Sequence, residues 1–144
     1  MERDYKNIIV PVDGSKNAKL AFNRALKVAE DYHATLHIIH VIDTQKLDEV
    51  LSDDGDYVKK LTAYDKKYLD ADTAKAKKAG VKADEELEYG SPRVMLAHQL
   101  VKKYQADLII MGANGLSAME RILMGSVASY VSRVAPCDVL LVKQ

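Results

Sequence analysis

The chain has 144 residues, enough for one domain to bury a core without disulfide or metal staples. Basic and acidic side chains balance at 21 each, which excludes the cationic excess of a general nucleic-acid binder but not a small anion held by backbone amides. A single cysteine, Cys137, excludes an internal disulfide framework, and no apolar run approaches the ~20 residues of a membrane span.

The opening "MERDYKNIIV" lacks the long apolar core of a signal peptide. Together with the lone cysteine, this leads us to expect a soluble cytoplasmic protein without a nucleic-acid or membrane partner. Lys6 to Val12, "KNIIVPV", is a short apolar, β-branched run followed by the turn signal "DGS", and reads as a buried strand. From Ser15, a suitable N-cap, Ala18, Phe22, Ala25, Leu26 and Ala29 recur at helical spacing. Thr35 to Ile42 reads as a second strand. Asp43 to Asp56 has no clean period and reads as a loop, with room for a helical turn.

Tyr57 to Ala79 is charged and alanine-rich, and reads as a long exposed helix closed by Gly80. Its expected packing stripe is Tyr57, Leu61, Tyr64, Tyr68 and Ala71. Val81 to Glu88 alternates weakly, as a strand near a sheet edge would. Ser91 and Pro92 then open a helix that presents Leu96, Leu100 and Tyr104 on one face. Asp107 to Met111 reads as a fourth strand, Ser126 to Val134 as a short helix, and Val139 to Val142 as a last strand.

This order, βαβαβαβαβ, predicts an α/β protein with a parallel sheet and helices on both faces. The continuous apolar runs "NIIVPV", "LIIM" and "VLLV" agree with strands buried on both sides. There is no internal repeat, low-complexity tract or linker, so residues 1–144 read as a single domain.

Open parallel sheets bind ligands at the carboxyl ends of their strands, where strand order reverses. Two unusual segments occupy such ends: Pro11 to Ser15, "PVDGS", and Met111 to Gly115, "MGANG". In the order 3-2-1-4-5 both would border one crevice. In the flavodoxin-like order 2-1-3-4-5 the second would fall outside it, and pattern alone leaves both open. Gly125 and Ser126 then open a helix whose N-terminus favours negative charge. One phosphate could sit between the turn at Gly112 to Gly115 and that helix start, brought together by the excursion "LSAMERILM".

The stretch "GANGLSAMERILMGS" fits G-x2-G-x9-G-[ST] and resembles the signature of the universal stress protein family, with Gly112, Gly115, Gly125 and Ser126 in register. "NIIVPVDGS", "ADLIIMGANG" and "SVASYVSRVAPCDVLLVK" are similar to that family as well, so the resemblance spans almost the whole chain. It implies a five-stranded sheet in the order 3-2-1-4-5, of the adenine nucleotide alpha hydrolase-like kind, and the ATP-binding branch of the family. By matching position, it implies Pro11, Val12 and Asp13 beside adenine and ribose, Val41 against adenine, and Met111 and Gly112 by the ribose. Gly115, Gly125, Ser126 and Val127 would hold phosphates through their backbone. One departure is the pair Ala113-Asn114, where the family often has a basic residue or histidine; Lys16 and Arg121 could compensate, or be solvated charges.

The implied cofactor is ATP, with AMP and ADP as alternatives. Mg²⁺ could be held by Asp13, which could equally bond a ribose hydroxyl or cap its own turn. A Walker A lysine and a G-x-S-x-G nucleophile turn are both missing from the sequence. The expectation is therefore a dimeric nucleotide-dependent sensor or regulator with no assigned catalytic residue and at most weak ATPase activity; the alternatives are a nucleotide-free regulatory or scaffold dimer and a slow ATP-hydrolysing enzyme. His37 and His40 are three apart on a strand, hence on opposite faces, and with His33 and His98 read as packed or surface histidines. Cys137 reads as a small buried residue. The resemblance also implies a homodimer through Val139 to Val142, with loops Asp43 to Asp56 and Leu116 to Met124 changing state with ATP. The downstream protein partner is not named by the sequence.

Overall fold

The computed structural model describes residues 4–45, 55–114 and 124–144. Five strands, β1 (Asn7–Pro11), β2 (Thr35–Asp43), β3 (Ala83–Gly90), β4 (Leu108–Gly112) and β5 (Asp138–Val142), form one sheet. All neighbours are parallel, and the order is β3-β2-β1-β4-β5. That order decides between the two topologies left open by pattern: β1 lies between β2 and β4, and the flavodoxin-like order is excluded. Registers run Ile8 to Leu36 on one side of β1 and Ile8 to Leu108 on the other.

The connecting helices are α1 (Lys16–Tyr32), α2 (Gly55–Lys78), α3 (residues 92–104) and α4 (Ser126–Val134). Each apolar strand run splits by alternation between two cores. Ile8, Val10, Val12, Leu36, Ile38 and Ile110 meet Ala21, Phe22 and Ala25 of α1 and Leu69 and Ala76 of α2. Ile9, Ile39, Ile109 and Met111 meet Leu96, Ala97 and Leu100 of α3 and Ala128 and Val131 of α4. The continuous hydrophobicity of the strands follows from this double coverage.

Two local features differ from the expectation. In α2 the buried lane is Leu69, Thr73 and Ala76, while Tyr64 is 57% exposed and Ala71 faces solvent. Small residues allow close approach to the sheet, and the Thr73 hydroxyl satisfies itself by donating to the Leu69 carbonyl at 2.8 Å. Tyr68 is half-buried and donates its hydroxyl to that of Tyr64. The side chain of Tyr57 lies outside the described residues. Helix α3 is not uniform: Pro92–Val94 leads into a π-helical turn, Met95–Gln99, before Leu100–Tyr104. No spacing in the sequence announces that turn.

The rest follows local chemistry. Ser15 caps α1 by accepting from the Ala18 amide at 3.0 Å. Pro92 stands at the first position of α3. The sheet edges are β3, rich in Asp and Glu, and β5, rich in Val and Leu. Gly115, Arg121 and most of the segments Asp43 to Asp56 and Leu116 to Met124 lie outside the described residues. Among the described residues no helix is long and apolar enough to cross a membrane.

Candidate functional site

With β1 and β4 adjacent, the carboxyl ends of both strands open on one crevice. Two helices begin there, and their first turns differ in what satisfies their amides. At α1 the turn itself takes up two of the donors. Asp13 Oδ1 accepts from the Ser15 amide at 2.9 Å and Ser15 Oγ from the Ala18 amide. Gly14 adopts φ +82°, the left-handed conformation this tight turn needs.

At α4 the N-cap is Gly125, with φ −62° and ψ 156°, and no side chain caps the helix. The Gly125 amide donates to the Ala113 carbonyl at 2.8 Å, and the first helical bond runs from the Ser129 amide to the Gly125 carbonyl. The amides of Ser126, Val127 and Ala128 are therefore left without partners among the described residues. Such a helix start is favourable for an anion.

The opposing wall is the turn after β4. The Ala113 amide donates to the Val142 carbonyl at 2.9 Å, and Asn17 of α1 donates through Nδ2 to the Asn114 carbonyl at 3.2 Å. Gly112 owes its identity to this packing. A Cβ there would lie 2.9 Å from Asn17 Cβ and 3.0 Å from the Asn17 carbonyl carbon. Close helix-to-strand approach thus sets this glycine apart, and Asn17 is a wall residue that sequence reasoning did not single out.

The remaining expected site residues gather at the same end. Pro11 closes β1 half-buried, and Val12 is buried in the α1/α2 core. Asp13 is half-exposed, with its second carboxylate oxygen unpartnered among the described residues. Val41 is half-buried at the end of β2, on the α3/α4 side. Met111 is buried on that side as well. Ser126 is exposed and Val127 half-buried against the same core. Lys16 is exposed at the start of α1.

The residues fit an adenine nucleotide. An apolar strip from Val41 to Met111 suits a base, Asp13 suits a ribose hydroxyl, and the open amides of α4 suit a phosphate. Magnesium fits less directly. Among the described residues no group of three or more His, Cys, Asp or Glu side chains gathers. A hard cation at Asp13 would need its other oxygens from phosphates and water.

The histidines separate as their spacing requires. His37 stacks on Tyr104 at 4.2 Å and lies between Asp84 and Asn7, at 2.7 and 3.0 Å. His40 points to the opposite face, with Nδ1 2.6 Å from the Val12 carbonyl and Nε2 2.9 Å from Asp65 of α2. His40 thus touches the crevice, a link that needs the tertiary fold to be seen. Near the far edge, burial would raise Glu86, but bonds from Lys103 and Tyr104 outweigh it and hold the carboxyl below its usual range. Burial, then the bond to Glu86, pushes the Tyr104 phenol upward.

A profile described as the Universal stress protein family matches residues 4–143. A relative from Staphylococcus epidermidis that carries the universal stress protein name is 41% identical over 140 residues, covering 96% of this chain and 84% of the relative. Universal stress protein UspA from Lactobacillus plantarum is 30% identical and superposes with a TM-score of 0.85, covering 99% of this chain and all of that one. A universal stress protein solved in complex with cAMP is 28% identical, with a TM-score of 0.74 and 98% of each chain covered. The chain belongs to the universal stress protein family.

Proposed function

We propose that this protein binds an adenine nucleotide at the β1/β4 crevice and acts as a nucleotide-dependent stress sensor in the cytoplasm. The observation that carries this reading is the start of α4. Three amides face the crevice without side-chain or main-chain partners among the described residues, opposite a turn locked by the bond from Gly125 to Ala113. The similar universal stress protein complexed with cAMP supports the ligand class.

The roles follow from placement. Val41 and Met111 flank the base. Pro11, Val12, Asp13 and Gly112 border base and ribose. Ser126 and Val127 donate to phosphate, with Gly125 setting the helix start, and Gly115 would add its own backbone to that grip. ATP is the proposed physiological ligand, AMP and ADP being the alternatives, and Mg²⁺ would bridge Asp13 and phosphate oxygens. A few charge-assisted bonds at ~1.5–3 kcal/mol each, plus base burial and less ordering costs, are compatible with micromolar affinity, about −8 kcal/mol.

The apolar edge strand β5 supports a homodimer in which Val139 to Val142 pairs with its copy. The signalling output would then be a change at the dimer surface, read by a downstream protein. Catalysis forms no part of the proposal beyond weak hydrolysis, since no catalytic residue is assigned and Asp13 is already engaged in its own turn. Native mass spectrometry of gently purified protein tests the reading. Co-purified ATP, ADP or AMP is expected. A protein that stays nucleotide-free after incubation with millimolar ATP contradicts it.

A further inference from the structure

The ring of His40 is held between two acceptors, the Val12 carbonyl at Nδ1 and the Asp65 carboxylate at Nε2. A carbonyl oxygen has no proton to give, so Nδ1 must carry one. This fixes a proton on the nitrogen that faces β1. Both side chains are largely shielded, at 13% and 16% exposure, so the bonds are poorly replaced by water.

The carbonyl that His40 holds belongs to the Val12–Asp13 peptide. A trans peptide is planar, and its C=O and N–H point in opposite directions. The Val12 amide already donates to Ile39 of β2 at 2.8 Å, and the Val12 carbonyl turns to His40 of the same strand. The Asp13 N–H is thereby directed away from the His40 ring, which lies on the α2 side of the sheet. It has no partner among the described residues. A proton donated to the carbonyl also polarises the peptide, which makes the opposite N–H a stronger donor.

We propose that His40, oriented by Asp65, is a positioning residue that aims the Asp13 amide into the crevice as a hydrogen-bond donor to the nucleotide. The inference rests on the nucleotide reading above and adds a donor and its support to it. It also gives α2 a connection to the ligand: Asp65 of that helix bonds the ring that holds the Val12 carbonyl.

The test compares Asp65→Ala with Asp65→Asn, titrating AMP by calorimetry and recording imidazole ¹⁵N spectra. An asparagine can accept from a protonated Nε2 or donate to a bare one, so Asp65→Asn keeps a bond at Nε2 in either form and leaves Nδ1–H facing the Val12 carbonyl. Alanine frees the ring. The expected result is a roughly tenfold weaker AMP affinity in Asp65→Ala, the size of one hydrogen bond to a ligand, with rescue to within about twofold in Asp65→Asn. His40 should carry its proton on Nδ1 in the wild type and in Asp65→Asn, and lose that preference in Asp65→Ala. Thermal melts establish that the variants are folded. Undiminished binding by folded Asp65→Ala, or a wild-type His40 without a proton on Nδ1, overturns the inference and leaves the nucleotide site standing. A wild type silent to AMP, ADP, ATP and cyclic AMP overturns both.

Discussion

The amide of Gly125 donates to the carbonyl of Ala113 at 2.8 Å, joining the start of α4 to the turn after β4 across eleven intervening residues of sequence. This bond fixes which donors can meet a ligand. The Gly125 N–H is occupied, and the next three amides are open among the described residues. Proline is tolerated at the first helical position because that N–H makes no helical bond. Ser126→Pro should therefore keep the fold and remove one phosphate donor together with the hydroxyl. We expect AMP affinity to fall about tenfold or more, from the ~1.5–3 kcal/mol of a charge-assisted bond, with an unchanged melting temperature. Calorimetry and a thermal melt check both halves.

Gly112 makes a separate prediction about stability. A methyl group there would overlap Asn17 at 2.9 Å, and part of that contact is main chain, which cannot rotate away. Gly112→Ala should destabilise the protein by ~1–3 kcal/mol, the range for overpacking. Urea denaturation gives the value. The same change should weaken nucleotide binding only as far as α1 is displaced.

The Glu86 carboxyl predicts a pH dependence. Its folded form is held below the usual carboxylate range by Lys103 and Tyr104 despite burial. A lowered carboxylate stabilises the fold above its unfolded value, and that contribution disappears as pH falls through the folded one. Glu86→Gln should lower the urea midpoint at pH 7. The difference between variant and wild type should vanish on acidification well below the ordinary glutamate value of about 4.3.

Association should run through β5 and not β3. β5 presents Val139, Leu140 and Leu141 half-buried, whereas β3 carries Asp84, Glu85, Glu86 and Glu88 on its edge. Charged edges resist pairing. Sedimentation at micromolar concentration should give a dimer, and Leu140→Lys should shift it toward monomer. A wild-type monomer would contradict the dimer.

Much of the architecture was legible because the signals were redundant. The runs "NIIVPV" and "LIIM" were too uniformly apolar for one-sided strands, and both faces of each are indeed covered. Ser15 and Pro92 marked helix starts with chemistry that acts locally. The lane of α2 was misread because Thr73, a polar residue, is buried by bonding to its own helix, while Tyr64, an aromatic one, is left outside. Strand order needed the family resemblance, since alternation permits two sheets. The wall residues Asn17 and His40 were not legible: each acts through a partner distant in sequence, Asn114 and Asp65, and neither spacing nor residue type points to it. Gly112 was expected for its nearness to ribose, and its tight contact is with α1.

The most direct measurement of the central claim is a calorimetric titration of wild-type protein with ATP, ADP, AMP and cyclic AMP, with and without Mg²⁺, repeated on Ser126→Pro. The account predicts saturable binding of at least one adenine nucleotide near micromolar affinity, weakened in the variant. No heat from any of the four at millimolar concentration, or binding unaffected by Ser126→Pro, would contradict it.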